Sequence, residues 1–216
     1  MDWRAVLVLG ALALLAPSVF AQAILGSAGG SNQAIVFPSP GVGLPTPIQN
    51  NVPGLPVGAQ PHGVSYYGSD NALVSDAING RVFVVKISTA TLVDTIDVSA
   101  TWNAAGTIAV APGLNFALGA GSSTTLAVIA GPFTASSTIT SVTLPGSVAT
   151  YQTEAIVFDP AGRAFVWNTA GISVLDPPYN AIAFTILAGN ASSGSIAISP
   201  DGLTLLTTDL GTGNVS

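Results

Sequence analysis

Four apolar runs recur along this chain at a nearly constant interval, and that recurrence restricts the fold more than any other feature. Val64 opens VSYYGSDN, Ile108 opens IAVAPGLN, Ile156 opens IVFDPAGR and Ile196 opens IAISPDGL. The intervals are 44, 48 and 40 residues. A second anchor drifts with the first. Leu73-Val74-Ser75-Asp76, Phe116-Ala117-Leu118-Gly119, Phe165-Val166-Trp167-Asn168 and Leu205-Leu206-Thr207-Thr208 are spaced by 43, 49 and 40 residues. Third runs follow at 81–87, 124–129 and 171–176, and fourth runs at 91–98, 137–144 and 181–188. Four short strands per unit, repeated every 40–50 residues or so, are the signature of propeller blades. A sandwich of evenly spaced strands is the alternative, but sandwiches have no need to repeat. The runs show no sustained helical spacing, and most end at turn residues. The expected fold class is therefore all-β: a β-propeller of about three and a half four-stranded blades.

At these runs the sequence resembles the YVTN family of propeller repeats, found in secreted and cell-surface proteins. Ile196 to Gly202 (IAISPDG) and, more loosely, Ile156 to Gly162 (IVFDPAG) resemble the opening of that unit. FVWN at 165–168 and LVSD at 73–76 resemble its second element, and ISVLD at 172–176 its third. STAT at 88–91 resembles its turn, and Pro61-His62-Gly63-Val64 its start. The resemblance covers about 61–216 and is poorest around Ile108, where Gly119 stands for the Asn or Asp. It implies a ring of about seven blades, so the chain reads as a piece of a larger ring. Closure by a strand from the N-terminal region is the other possibility.

The same motif has a physical reading. In Ser199-Pro200-Asp201-Gly202 the proline presets φ, and Asp and Gly suit the turn positions that follow. Asp76 and Asn168 end strands where a short polar side chain bonds turn N–H groups.

The blades are expected at 61–103, 104–150 and 151–191, with a partial blade at 192–216. Residues 22–60 are rich in Gly, Pro, Ser and Asn, and Gln33 to Phe37 is the one strand-like piece there. Proline is kept out of central ladders, so this region reads as a linker, an edge, or part of an incomplete blade. Before it, Arg4 precedes an apolar run, Ala5 to Ala16, which Pro17 breaks. Val19-Phe20-Ala21 then offers a cleavage site. Residues 1–21 are expected to be a signal peptide cut after Ala21, an uncleaved anchor being the alternative.

Composition narrows the function classes. Of 216 residues 49% are hydrophobic and only 6% charged, yet beyond the N-terminus polar residues interrupt every apolar stretch before it is long enough to span a membrane. Four basic residues against a net charge of −6 exclude a phosphate-neutralising stripe, so no nucleic acid is expected as partner. With no cysteine and one histidine, thiolate chemistry and a multi-histidine metal site are impossible, and no metal or cofactor is expected. Neither a calcium loop nor a nucleophile elbow nor a phosphate loop occurs in a suitable context.

Four residues are candidates for a binding rim. His62, Trp102, Tyr151 and Glu154 each precede an inner strand and so sit near one mouth of the channel. His62 and Glu154 are a base with its orienter, a pair of metal ligands, or two turn caps. Trp102 and Tyr151, like Tyr66, Tyr67 and Trp167, are either stacking platforms or inter-blade packing. The expectation is an exported binding or scaffold module, secreted or at the cell surface or periplasm, that engages an extracellular protein or glycan without catalysis. A lactonase-type propeller enzyme is the alternative, although the residues such enzymes use cannot be assembled here.

Overall fold

The computed structural model describes residues 24–28, 33–37, 50–102, 105–113, 115–121, 123–148, 155–186, 195–209 and 214–215. The expected signal segment, Tyr151 and Glu154 lie outside them. All described regular structure is strand.

Three antiparallel four-stranded sheets form the middle of the molecule. The first holds β4 (Pro61–Tyr67), β5 (Asn71–Asp76), β6 (Arg81–Lys86) and β7 (Thr91–Asp97). The second holds β8 (Ala105–Val110), β9 (Phe116–Gly121), β10 (Thr125–Ala130) and β11 (Ile139–Thr143). The third holds β12 (Ile156–Phe158), β13 (Ala164–Asn168), β14 (Gly171–Leu175) and β15 (Phe184–Ile186). In each, spatial order follows chain order, which is the meander of a propeller blade. The first strands lie side by side: β4 contacts β8, β8 contacts β12, and β12 contacts β16 (Ile196–Ile198). They face the common centre.

Blade stacking explains the run RVFVVK. Alternate residues of a strand point to opposite faces. Val82 and Val84 pack with Ile108, Ala127 and Ile129 of the second sheet, while Phe83 and Val85 pack with Ala34 and Val52 on the other side. A strand covered on both faces reads as continuously apolar rather than alternating. A third cluster joins the second and third sheets through Leu118, Leu126, Val128, Val166 and Leu175. Burying a Val or Leu side chain contributes about 1.5–3 kcal/mol, so these inter-sheet layers dominate the stability.

The N-terminal region holds more strand than the sequence marked. It forms a three-stranded sheet, β1 (Ile24–Ala28), β2 (Gln33–Phe37) and β3 (Asn50–Asn51), in which only β2 was legible. ILGSA carries small, weak strand formers; its ladder with QAIVF, Leu25 opposite Val36, supplies what propensity lacks. β1 lies beside β4, and Ala34 and Val52 are buried against Val74 and Phe83. The described strands here form a layer against the first sheet, in keeping with the incomplete-blade alternative.

At the other end the expected two strands are three: β16, β17 (Leu205–Asp209) and β18 (Asn214–Val215), with Thr208 opposite Val215.

Ladder register also corrects the second anchor. Val64, Ile108, Ile156 and Ile196 lie opposite Val74, Gly119, Val166 and Thr207. The position of Asp76 and Asn168, two residues further on, is therefore held by Gly121 and Asp209, not by Gly119 and Thr208. Small residues in FALGAG made two registers equally apolar on paper, and pairing with β8 chose between them.

Candidate functional site

Each sheet has a connection end, where its last strand hands over to the next sheet's first strand, and an opposite hairpin end. Between the first strands lies an open central cleft of about 640 Å³. Val64, Val110, Ile156, Phe158, Ile196 and Ile198 line it, and Ser65 is the one polar side chain among its described lining residues. The Ser65 hydroxyl accepts the Val110 N–H at 2.9 Å, which ties the first sheet to the second.

At the connection end His62 lies on β4, half-buried. Its Nδ1 is 3.0 Å from the Gly106 carbonyl. A carbonyl only accepts, so Nδ1 carries the proton and donates across to the second sheet. Gly63 makes this approach possible: a Cβ there would stand 2.7 Å from the Gly106 oxygen and 3.1 Å from the Ile108 nitrogen. The Gly63 N–H donates to the buried Ser75 hydroxyl at 2.8 Å. His62 thus belongs to the seam between two blades.

Trp102 is not a stacking platform. Its side chain is 1% exposed and packs with Leu73, Val82 and Ile108. The ring lies over Gly119, where any Cβ would overlap Cζ3 and Cη2. Glycine at 119 is therefore the counterpart of this indole. Trp167 is likewise buried, and its Nε1 is the one buried side-chain nitrogen or oxygen without a hydrogen-bond partner among the described residues. Tyr66 is 44% exposed, and Tyr67 packs edge-on against Phe133 with ring centroids 5.0 Å apart. Phe133 carries no repeat signal and was not legible as part of any site.

The charged side chains are held within turns. Asp76, with a fully buried side chain, accepts from the N–H groups of Gln60 and Ile78, from Asn79, and from Arg81 Nη2 at 2.7 Å. Burial alone would raise its pKa. The bonds from Gln60, Asn79, Arg81 and Ile78 outweigh burial and hold it below the usual carboxylate value. Asn168, its counterpart, accepts from the Ala170 N–H and donates to Ser173. Asp70 accepts from the Ser88 hydroxyl and N–H at 2.7 Å, bonds that lower its pKa. Asp201 is bonded to Ser199 and to the Leu203 N–H, with the same effect. Arg81, Lys86 and Arg163 all lie within ion-pair distance of an aspartate. Among the described residues no three of His, Asp and Glu converge as a metal site would require.

The fold and this distribution of polar groups define a β-propeller module. It is similar to the hydrazine synthase of Kuenenia stuttgartiensis, at 14% identity and a TM-score of 0.65, over 86% of this chain and 52% of that one. It is also similar to the Cps50 (Swd1) β-propeller domain of Myceliophteria thermophila, at 12% identity and a TM-score of 0.67, over 88% of this chain and 64% of that one. The chain thus spans about half to two thirds of the length of these structures. Such identities speak for the fold alone. No protein-family model matches the sequence, and no curated protein matches it.

Proposed function

We propose that the chain is an exported propeller of YVTN-type repeats, secreted or held at the cell surface, that binds or displays an extracellular protein or glycan and does no catalysis. One observation carries this reading. The described aspartates and cations hold turns and blade seams together, while the central cleft offers apolar strand faces and a single serine hydroxyl that ties two sheets. A reacting site needs a titratable group aimed at a substrate position. The signal-like segment at 1–21 supports export, and the turn chemistry of Asp76 and Asn168 supports the repeat assignment.

The test uses the full chain expressed with its own N-terminus. Export with capture of an extracellular protein or glycan in a broad pull-down is expected. Lactone hydrolysis abolished by His62→Ala or Glu154→Ala would overturn the reading in favour of an enzyme. In the exported material, mass spectrometry is expected to find Gln22 as the first residue; retained residues 1–21 would refute cleavage after Ala21.

A further inference from the structure

A second cleft, of about 430 Å³, opens at the hairpin end between the first two sheets. Tyr67, Asn115, Gly131, Pro132 and Phe133 line it. The volume falls in the range of about 300–1,000 Å³ usual for small-ligand sites.

Its wall is the loop between β10 and β11, as long as its counterpart at 176–183 in the third sheet. In the first sheet β6 and β7 are joined by the four residues 87–90. In the second, β10 and β11 are joined by the eight residues 131–138. This longer connection is bonded to itself. The Ser137 hydroxyl donates to the Pro132 carbonyl and accepts the Thr134 N–H, both at 2.9 Å. It is anchored at its root, where the Gly131 N–H donates to the Asn115 carbonyl at 2.8 Å. It is also pinned from the neighbouring sheet, where the Asp94 carboxylate accepts the Ala135 N–H at 2.8 Å. A β-bulge makes that reach possible. The register slips between Val84 opposite Asp94 and Val85 opposite Leu92, leaving Val93 as the extra residue. Bulges of this kind re-aim a side chain. The wall is therefore pre-organised, which lowers the ordering cost of binding.

The polar side chains lining the cleft, Tyr67 and Asn115, are open to solvent. Among the described residues neither the Tyr67 hydroxyl nor the Asn115 side-chain amide has a hydrogen-bond partner within the chain. Burial first, and the Asp94 charge second, raise the Tyr67 pKa, so its hydroxyl stays protonated and able to donate. Packing on Phe133 fixes the ring's orientation. No cation is among the described lining residues, so an anionic ligand would meet no counter-charge.

We propose that this cleft binds one pyranose ring of a neutral glycan. The ring's C–H face lies on Tyr67 and Pro132, and its hydroxyls bond the Asn115 amide and the Tyr67 hydroxyl. A planar amide that both donates and accepts matches a vicinal pair of sugar hydroxyls, and an aromatic face matches the axial C–H groups. This rests on the reading of the chain as a binding module and gives that module a ligand class.

The full chain is titrated with neutral oligosaccharides of glucose, galactose, mannose and N-acetylglucosamine, followed by saturation-transfer NMR and calorimetry. At least one is expected to bind. Asn115→Ala, at an exposed position, should weaken that binding about tenfold, the loss expected for one or two hydrogen bonds. Tyr67→Phe keeps the packing on Phe133 and should weaken it several-fold without lowering the melting temperature. Ile78→Ser, at the connection end, should leave it unchanged. Absence of binding across the panel at millimolar concentration would overturn the proposal. So would binding indifferent to both cleft variants, or capture of a proline-rich peptide there in place of any sugar. If the full chain captures an extracellular partner equally well with Asn115→Ala, the binding-module reading stands and the cleft proposal falls. If it captures nothing and binds no sugar, both fall.

Discussion

Two glycines and one aspartate show how single residues carry the blade contacts. Gly63 permits the first strands of neighbouring sheets to approach, and a methyl group there would press on the Gly106 carbonyl. Gly63→Ala is expected to cost about 1–3 kcal/mol, the range for overpacking a tight site, read as a lower midpoint in thermal unfolding. Gly119→Ala should do the same by displacing the Trp102 ring. Pairing it with Trp102→Leu should recover part of the loss, because the clash then disappears; a strictly additive double variant would contradict this packing. Asp76 is the electrostatic counterpart. Asp76→Ala leaves the Gln60 and Ile78 N–H groups and the Arg81 guanidinium without their acceptor. Leaving these donors without their acceptor at a partly buried pair is expected to cost about 1–3 kcal/mol.

Among the elements, the loop at 131–138 is held both by its own bonds and from the neighbouring sheet. Its bond from Ala135 to Asp94 spans two blades. Asp94→Ala is expected to free the loop without unfolding the sheets. Hydrogen exchange at the Ala135 amide should quicken while the β10 amides stay protected. Equal protection in the variant would show that the loop's internal Thr134, Ser136 and Ser137 bonds suffice. The N-terminal sheet makes the complementary point. The Gly, Ser and Ala of β1 have little intrinsic strand preference, and the sheet's place depends on Ala34 and Val52 packing on the face of β5 and β6.

For the whole molecule, carboxylate bonding predicts acid sensitivity. The pKa values of Asp70, Asp76, Asp97 and Asp201 all lie below the unbonded value of 3.8. In the unfolded chain these groups take up protons near that value, and in the folded chain only further down. Their stabilisation is therefore complete above about pH 4–5 and is lost as pH falls through the depressed values. The melting temperature should be flat from pH 5 to 7 and drop toward pH 2–3. Asp76→Asn should show a shallower drop than the parent. A melting temperature that rose on acidification would refute the bonding described. Far-UV circular dichroism of residues 22–216 should show strand with little helix; a third of the signal as helix would be incompatible with the five described sheets.

The sequence by itself determined the strand-rich class, the four-strand unit and the inner-strand positions Val64, Ile108, Ile156 and Ile196. These follow from apolar spacing and turn chemistry, which are local. It also marked Asp76 and Asn168 as turn residues, because a short polar side chain before a turn has few other roles. Only the tertiary structure decided which register FALGAG takes, since its small residues leave the choice to the partner strand. It alone made a sheet of ILGSA and QAIVF, buried Trp102 over Gly119, and joined Tyr67 to Phe133 across 66 residues of chain. Those outcomes depend on contacts between blades, where the energy lies in the fit of one sheet face on the next. No local pattern encodes that fit, because each face is completed by residues a whole repeat away.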